Sequence, residues 1–265
     1  MKKTTTKAFL RKKGAEKIVM TTAYDAVFAR IADSAGVDAI LIGDSLGNTL
    51  MGHSSTVPVT MDDMLRHTAM VSRTNPAALV VADVPFAVAH YCFDELLRQC
   101  AKLLQEGGAD AVKIEGGAAM AEKIRRLTEA GIPVMGHIGL MPQQILKLGS
   151  YRTFGADAAG RESLLKDAKM LEEAGAFSFV IEKTDQDAAR EITASVQIPT
   201  IGIGAGPDCD GQVLVSTDLL GLGGKIPPFA KKYAELGGLA KAAFEAYASE
   251  VRAGAFPARE GANAE

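Results

Sequence analysis

The chain contains no tryptophan, and only 6% of its 265 residues are aromatic. Its core must therefore be filled mostly by aliphatic side chains. The three cysteines, Cys92, Cys100 and Cys209, are odd in number and none stands in a Cys-x-x-Cys pair. That argues against zinc and against a disulfide framework, and predicts reduced, buried thiols in a cytoplasmic protein. No apolar run approaches the roughly 20 residues of a membrane span. The basic segment 2–13 lacks a secretory apolar stretch and is expected to be a solvated arm. A net charge of −3 offers no electrostatic support for a nucleic-acid or membrane-surface partner. There is no Gly-Lys-Ser/Thr phosphate loop, which disfavours a kinase. The run Gly202-Ile203-Gly204-Ala205-Gly206-Pro207 fails the dinucleotide pattern, because the third glycine position falls on Pro207 or on Cys209. It reads as a tight turn that lets a ligand approach the backbone.

What the chain does contain is one phrase written repeatedly. Ala39-Ile40-Leu41-Ile42 is too short for a helix, meets Gly43 at once, and ends on Asp44 and Ser45. An apolar strand with polar residues at its carboxyl end and a glycine beyond is how parallel α/β folds build ligand sites. Helix ends followed by glycine and a new apolar run recur at Gly36, Gly107-Gly108, Gly131 and Gly175, as successive βα units require. Strands are predicted near 17–22, 38–43, 78–83, 110–115, 132–137, 176–182, 198–203 and 211–216. Helices are predicted near 25–35, 62–73, 93–106, 118–130, 160–174, 185–196, 218–222 and 229–251, with Thr60 and Asp63 capping the second. Eight such units at this length predict a single (β/α)8 TIM barrel domain over 1–265, with a long C-terminal helix. Residues 1–16 form its N-terminal arm and 254–265 a flexible tail. Two long connections, 46–60 and 138–160, are placed as loops that carry substrate contacts.

The strand ends carry the chemistry. Asp44 with Ser45, Asp83, Lys113 with Glu115, His137 and Glu182 close successive strands and would converge on one face of a barrel. Side-chain alternation sets Lys113 with Glu115, Asp44 with Ile42, and Asp83 with Val81. Asp44, Asp83 and Glu115 offer oxygen only, which suits Mg²⁺ and not zinc or copper. Any one of these acids, alone, reads equally well as a helix cap or surface pair, and His137 alone as a satisfied core histidine. Met51, Met61, Met64 and Met70 read as core filler.

Six ordered motifs then resemble one family, ketopantoate hydroxymethyltransferase. They are Ile42-Gly43-Asp44-Ser45-Leu46-Gly47, the run from Gly52 to Thr60, Ala82-Asp83-Val84-Pro85-Phe86, Val112-Lys113-Ile114-Glu115-Gly116-Gly117, Gly136-His137-Ile138-Gly139-Leu140, and the run from Ile201 to Gly206. The resemblance implies a (β/α)8 barrel. It also implies transfer of a one-carbon unit from 5,10-methylenetetrahydrofolate to 3-methyl-2-oxobutanoate in pantothenate synthesis. By position it implies Asp44, Asp83 and Glu115 at Mg²⁺. Ser45 and Lys113 would hold the substrate with Asp44 and Asp83, Glu182 would be the proton acceptor, and His137 would lie near the transferred carbon. It further implies a cytoplasmic homo-oligomer, commonly a decamer. The sequence departs from the family pattern at Ser54, Met141, Phe154, Lys183 and Ser216-Thr217, which bears on folate affinity and lid packing.

Two other readings remain beside it. A phosphoenolpyruvate mutase or isocitrate lyase type of enzyme would use a similar metal-bound 2-oxo acid. The lyases of that group carry Lys-Lys-Cys-Gly-His, and no cysteine here follows a lysine. A non-catalytic barrel would be free to lose its charged strand ends, and all of them are present.

Overall fold

The computed structural model describes residues 2–223 and 226–258; the part of the expected tail at 259–265 lies outside the described residues. Eight parallel strands close on themselves in sequence order: β1 (Ile18–Thr22), β2 (Ala39–Ile42), β3 (Leu79–Asp83), β4 (Ala111–Lys113), β5 (Val134–Gly139), β6 (Ser178–Glu182), β7 (Thr200–Ile203) and β8 (Gly211–Leu214). The seam pairs Ile18 with Gly211. A Cβ at Gly211 would meet Ile18 O at 2.5 Å, so only glycine lets the barrel shut there. Met1–Val215 form one compact unit, and Ser216–Glu265 a second.

Side-chain alternation sorts each strand into two layers. In β2, Ala39 and Leu41 face the barrel interior with Met20, Val81, Met135, Val180 and Ile201. Ile40 and Ile42 face outward, where they share a core with Ala29, Met64, Leu96, Ile124, Leu171 and Ile192 of the surrounding helices. Both faces are buried, so the strands are continuous apolar runs instead of alternating ones.

The surrounding helices Ala26–Ser34, Met61–Ser72, Phe93–Gln105, Ala121–Glu129, Ala158–Glu173 and Gln186–Ser195 lie close to their expected positions. Their starts are capped as short polar side chains allow. Asp25 Oδ1 accepts from Val27 N and Phe28 N at 2.8 and 2.9 Å. Thr60 and Asp63 form the expected reciprocal capping box. Short helices also occupy the two long connections, at Leu46–Thr49 and Ile145–Leu148. In the second unit the long helix runs over Leu236–Arg252, starting later than expected. Before it, Ala230 N bonds Pro227 O in a turn, and Leu236 N bonds Leu220 O. No helix among the described residues is long and apolar enough to cross a membrane. Cys100 and Cys209 are buried as expected, whereas Cys92 is exposed. Met64 is buried but Met51 and Met70 are 38% and 41% exposed, so only part of the methionine set fills the core.

The N-terminal arm differs most from expectation, because it is anchored to the barrel as well as exposed to solvent. Its helix Thr6–Leu10 places Phe9, 0% exposed, against the interior layer, edge-on to Phe177 at 5.7 Å. Lysines tie the arm down. Lys13 Nζ lies 2.8 Å from Asp210 Oδ2, and Lys3 Nζ donates to Ala78 O at 2.8 Å. One buried aromatic in a basic dodecamer carries no periodicity, so charge dominated the sequence reading. Phe9→Ala should cost about 3–5 kcal/mol of unfolding free energy, since the void it leaves is enclosed. Urea unfolding followed by circular dichroism measures this, and a change below about 1 kcal/mol would mean that the arm merely rests on the barrel.

Candidate active site

The carboxyl ends of the strands bring the polar residues together, and strand register explains how. Asp83 and Lys113 are direct partners across β3 and β4, and their side chains meet at 2.7 Å between Oδ1 and Nζ. The other Asp83 oxygen accepts from Asp44 N at 3.0 Å. Lys113 Nζ also lies 3.3 Å from His137 Nδ1. On the far side of the ring, His137 Nε2 is 3.4 Å from Glu182 Oε2 and otherwise without a hydrogen-bond partner among the described residues. Glu115 Oε1 stands 3.9 Å from His137 Nδ1. Six of the seven residues chosen from the sequence thus form one contiguous chain of contacts. Ser45 stands at its edge, with its hydroxyl 2.9 Å from the hydroxyl of Tyr24.

Alternation places Lys113, Glu115 and Asp83 as expected, but not Asp44. Ile42 packs outward among the helices. The strand stops at Ile42, and the turn through Gly43 brings Asp44 back over the barrel mouth.

Two residues escaped the sequence reading. Gln143, 7% exposed, donates from Nε2 to Asp44 Oδ2 at 2.8 Å and to Val84 O at 2.9 Å, while its backbone N donates to Glu115 Oε2 at 3.1 Å. The signal available was a polar residue just after Pro142, at the start of a long loop. Tyr24, buried beside Ser45, was visible only as the residue two positions beyond β1. At Gly139 the backbone is left-handed (φ +87°), and a Cβ would meet Glu182 O at 2.3 Å. This glycine lets the β5 loop pass over the end of β6. Directly after Glu182, Lys183 takes up φ +43°, an uncommon conformation for a residue with a Cβ. It turns the chain sharply out of the strand instead of continuing it.

Burial sets the electrostatics. Asp44, Asp83 and Glu115 are 4%, 2% and 8% exposed. Burial, reinforced by Asp83, pushes the Asp44 carboxyl up to about 7. Burial also raises Asp83 against the opposing pull of Lys113, and lifts Glu115 well above the ordinary range, with Asp44 adding to it. Glu182 is pushed up to about 8 by burial, opposed by Lys113. Burial alone would lower Lys113, but Asp83, Glu115 and Asp44 hold it above its usual value and keep it charged. His137 falls well below its usual value through burial and the neighbouring ammonium, and is neutral. An ammonium can only donate, so His137 Nδ1 accepts from it and the ring proton sits on Nε2, facing Glu182.

Among the described residues, no group of three or more His, Cys, Asp and Glu side chains is arranged to enclose a metal ion. Their oxygens are engaged instead by Lys113 and Gln143. The donor chemistry nevertheless fits a hard divalent cation. Three buried carboxylates from adjacent strands, with one ammonium between them, leave negative charge that a cation would offset.

Comparison with known proteins bears on this site. A sequence model of the family described as ketopantoate hydroxymethyltransferase matches residues 2–259. The chain is 54% identical over 260 residues to the 3-methyl-2-oxobutanoate hydroxymethyltransferase of Staphylothermus marinus, covering 98% of this chain and 96% of that one. Identity to the protein of the same name from Moorella thermoacetica is 53% over 250 residues, covering 94% and 93%. Among solved structures, the fold resembles 2,3-dimethylmalate lyase, a PEP mutase/isocitrate lyase superfamily member. That match has a TM-score of 0.61 at 19% identity, over 98% of this chain and 91% of that one. It also resembles phosphonopyruvate hydrolase, solved with oxalate and Mg²⁺, with a TM-score of 0.60 at 16% identity over 96% and 88%. At these identities the structural likeness concerns the fold alone.

The raised Asp44 carboxyl carries a stability cost with a definite sign. Its ordinary value is 3.8 and its folded value about 7. The folded state therefore binds more protons between these limits, and stability falls as pH rises through that window. In metal-free buffer Asp44→Asn should melt above the parent protein at pH 8, and the gap should close towards pH 4. Parallel melting curves for the two proteins across that range would show that Asp44 does not carry this cost.

Proposed function

Because the chain belongs to the ketopantoate hydroxymethyltransferase family, and is an enzyme that transfers a hydroxymethyl group to 3-methyl-2-oxobutanoate, we propose how its buried cluster performs that transfer. The one-carbon donor is 5,10-methylenetetrahydrofolate, and the product is the 2-dehydropantoate of pantothenate synthesis. Asp44, Asp83 and Glu115 would hold Mg²⁺, which when bound polarises the keto group of the 2-oxo acid as a Lewis acid. Lys113 and Ser45 hold the carboxylate and keto oxygens of the substrate. Lys113, charged and buried, stabilises the negative charge that develops on the keto oxygen. Glu182 takes the proton from C3, and the resulting enolate carbon bonds to the methylene carbon of the folate as one of its two C–N bonds opens, that nitrogen taking up the proton. Water then adds its hydroxyl to the same carbon as the second C–N bond breaks, and tetrahydrofolate leaves with the remaining proton of the water. His137 stays neutral and points its Nε2 proton at Glu182, where it orients the base and lies near the transferred carbon. Three buried carboxylates and the half-buried Glu182 round one ammonium carry this assignment. In particular, Glu182 is pushed up to about 8, where a carboxylate is a useful base near neutral pH.

We also place the enzyme in the cytoplasm as a homo-oligomer, a decamer by family resemblance. Support for assembly comes from the helix Leu236–Arg252, which buries no side chain and leaves Leu239, Phe244 and Tyr247 at 66%, 73% and 55% exposure.

Formation of 2-dehydropantoate from 3-methyl-2-oxobutanoate and methylenetetrahydrofolate, with and without Mg²⁺, tests the whole reading; full activity in excess chelator would sink the metal assignment. A narrower test isolates Glu182. With Mg²⁺ but no folate, the enzyme should exchange the C3 proton of 3-methyl-2-oxobutanoate for solvent deuterium. The rate should climb with pH above the ordinary carboxylate range, towards about 8, because only the deprotonated form is a base. Glu182→Gln keeps the shape and removes the base, so exchange should drop by about 10²–10⁴-fold while oxo-acid binding persists. Exchange at the parent rate would rule Glu182 out as the base.

A further inference from the structure

The segment after β5 crosses the barrel mouth and is pinned to each strand end that it passes. Leu140 N donates to Glu182 O at the end of β6, at 2.9 Å. The turn Pro142–Gln144 then presents both donor groups of Gln143 to the acids. The backbone N takes Glu115 Oε2 beyond β4, and the side-chain amide takes Asp44 Oδ2 beyond β2 and Val84 O beyond β3. Both hydrogens of that amide are used, so it cannot rotate without losing a bond. Asp44 Oδ1 and Glu115 Oε1, the second oxygen of each acid, accept no hydrogen bond among the described residues.

We propose that Gln143 is a positioning residue for the divalent cation: it holds one oxygen of Asp44 and one of Glu115, and thereby turns the other oxygen of each towards the pocket. This rests on the proposal that these acids hold Mg²⁺. The physical basis is general. A carboxylate fixed by a donor at one oxygen loses less freedom when its other oxygen meets a metal, and such supporting bonds typically govern affinity by 10–100-fold. Val84 O is the anchor that holds the amide in register. Gln143 is therefore tied to the scaffold and not only to the acids.

Mn²⁺ serves as the probe, with free ion counted by electron paramagnetic resonance, so the readout does not depend on turnover. Gln143→Met keeps the length and removes both side-chain bonds. It should bind Mn²⁺ about 10–100-fold more weakly than the parent. Phe9→Leu, at the opposite end of the barrel, is a destabilised control that should keep the parent affinity. A general loosening of the fold would weaken both, and would overturn the inference. Gln143→Asn, a smaller change that withdraws the amide, should weaken binding in the same direction and stands in if the first variant does not fold. Parent-level or tighter binding in either folded variant would mean that Gln143 plugs the site instead of shaping it. If the parent itself binds no Mn²⁺, the metal reading fails along with the inference. If parent and variants bind alike, only the role of Gln143 fails.

Discussion

Four carboxylates and one ammonium share a buried space at the barrel mouth, and the rest of the site is arranged around that imbalance. Asp44, Asp83, Glu115 and Glu182 would carry four negative charges if all were ionised, against the single positive charge of Lys113. Removing such charges from water is costly unless each finds a donor or a counter-ion. The structure distributes donors unequally. Asp83 takes both the Lys113 ammonium and the Asp44 backbone. Asp44 takes the Gln143 amide, and Glu115 takes the Gln143 backbone. Glu182 has the histidine edge at 3.4 Å, with the charges of Lys113 and Lys183 acting on it from further away. Burial raises Glu182 to about 8 and lifts Glu115 as well. What separates the proposed base from the three acids proposed for the metal is its neighbour, a neutral histidine edge in place of the Lys113 and Gln143 donors.

The two ends of the barrel divide the work. At the amino end, Phe9 caps the interior layer, and Lys3 and Lys13 tie the arm across it by bonds to the backbone and to Asp110 and Asp210. This end contributes stability through burial. At the carboxyl end, polar groups replace apolar ones from one residue to the next along each strand, as at Val180 and Glu182 on the same face of β6. Burial energy from the first end holds a second end that would not be stable by itself, a division general to this architecture.

Legibility in the sequence followed the range of the interactions. Strands and their helices could be read because burial on both faces makes continuous apolar runs, and glycine marks each return to the sheet. Asp83, Lys113 and Glu115 could be read because alternation along a strand is strictly local. The pairing of Asp44 with Ile42 failed where the strand stopped at Ile42, two residues before Asp44, because a turn erases alternation. Phe9 failed because its partner, Phe177, lies far away in sequence. Gln143 was invisible for the same reason. Its value comes from three bonds to Asp44, Val84 and Glu115, none of which leaves a periodic trace.

The position of Lys113 also fixes what His137 can do. A neutral imidazole has one acceptor and one donor nitrogen, and the choice is made by whichever neighbour is least negotiable. Lys113 is held charged by three acids and cannot accept, so Nδ1 must. The proton is left on Nε2, the nitrogen that faces Glu182. In this tautomer His137 has no free lone pair towards the pocket and is a poor candidate for the base. It can donate to an oxygen instead. Lys113 thus does more than offset charge: it keeps the histidine neutral, sets its tautomer, and so makes Glu182 the better candidate of the two for the proposed base.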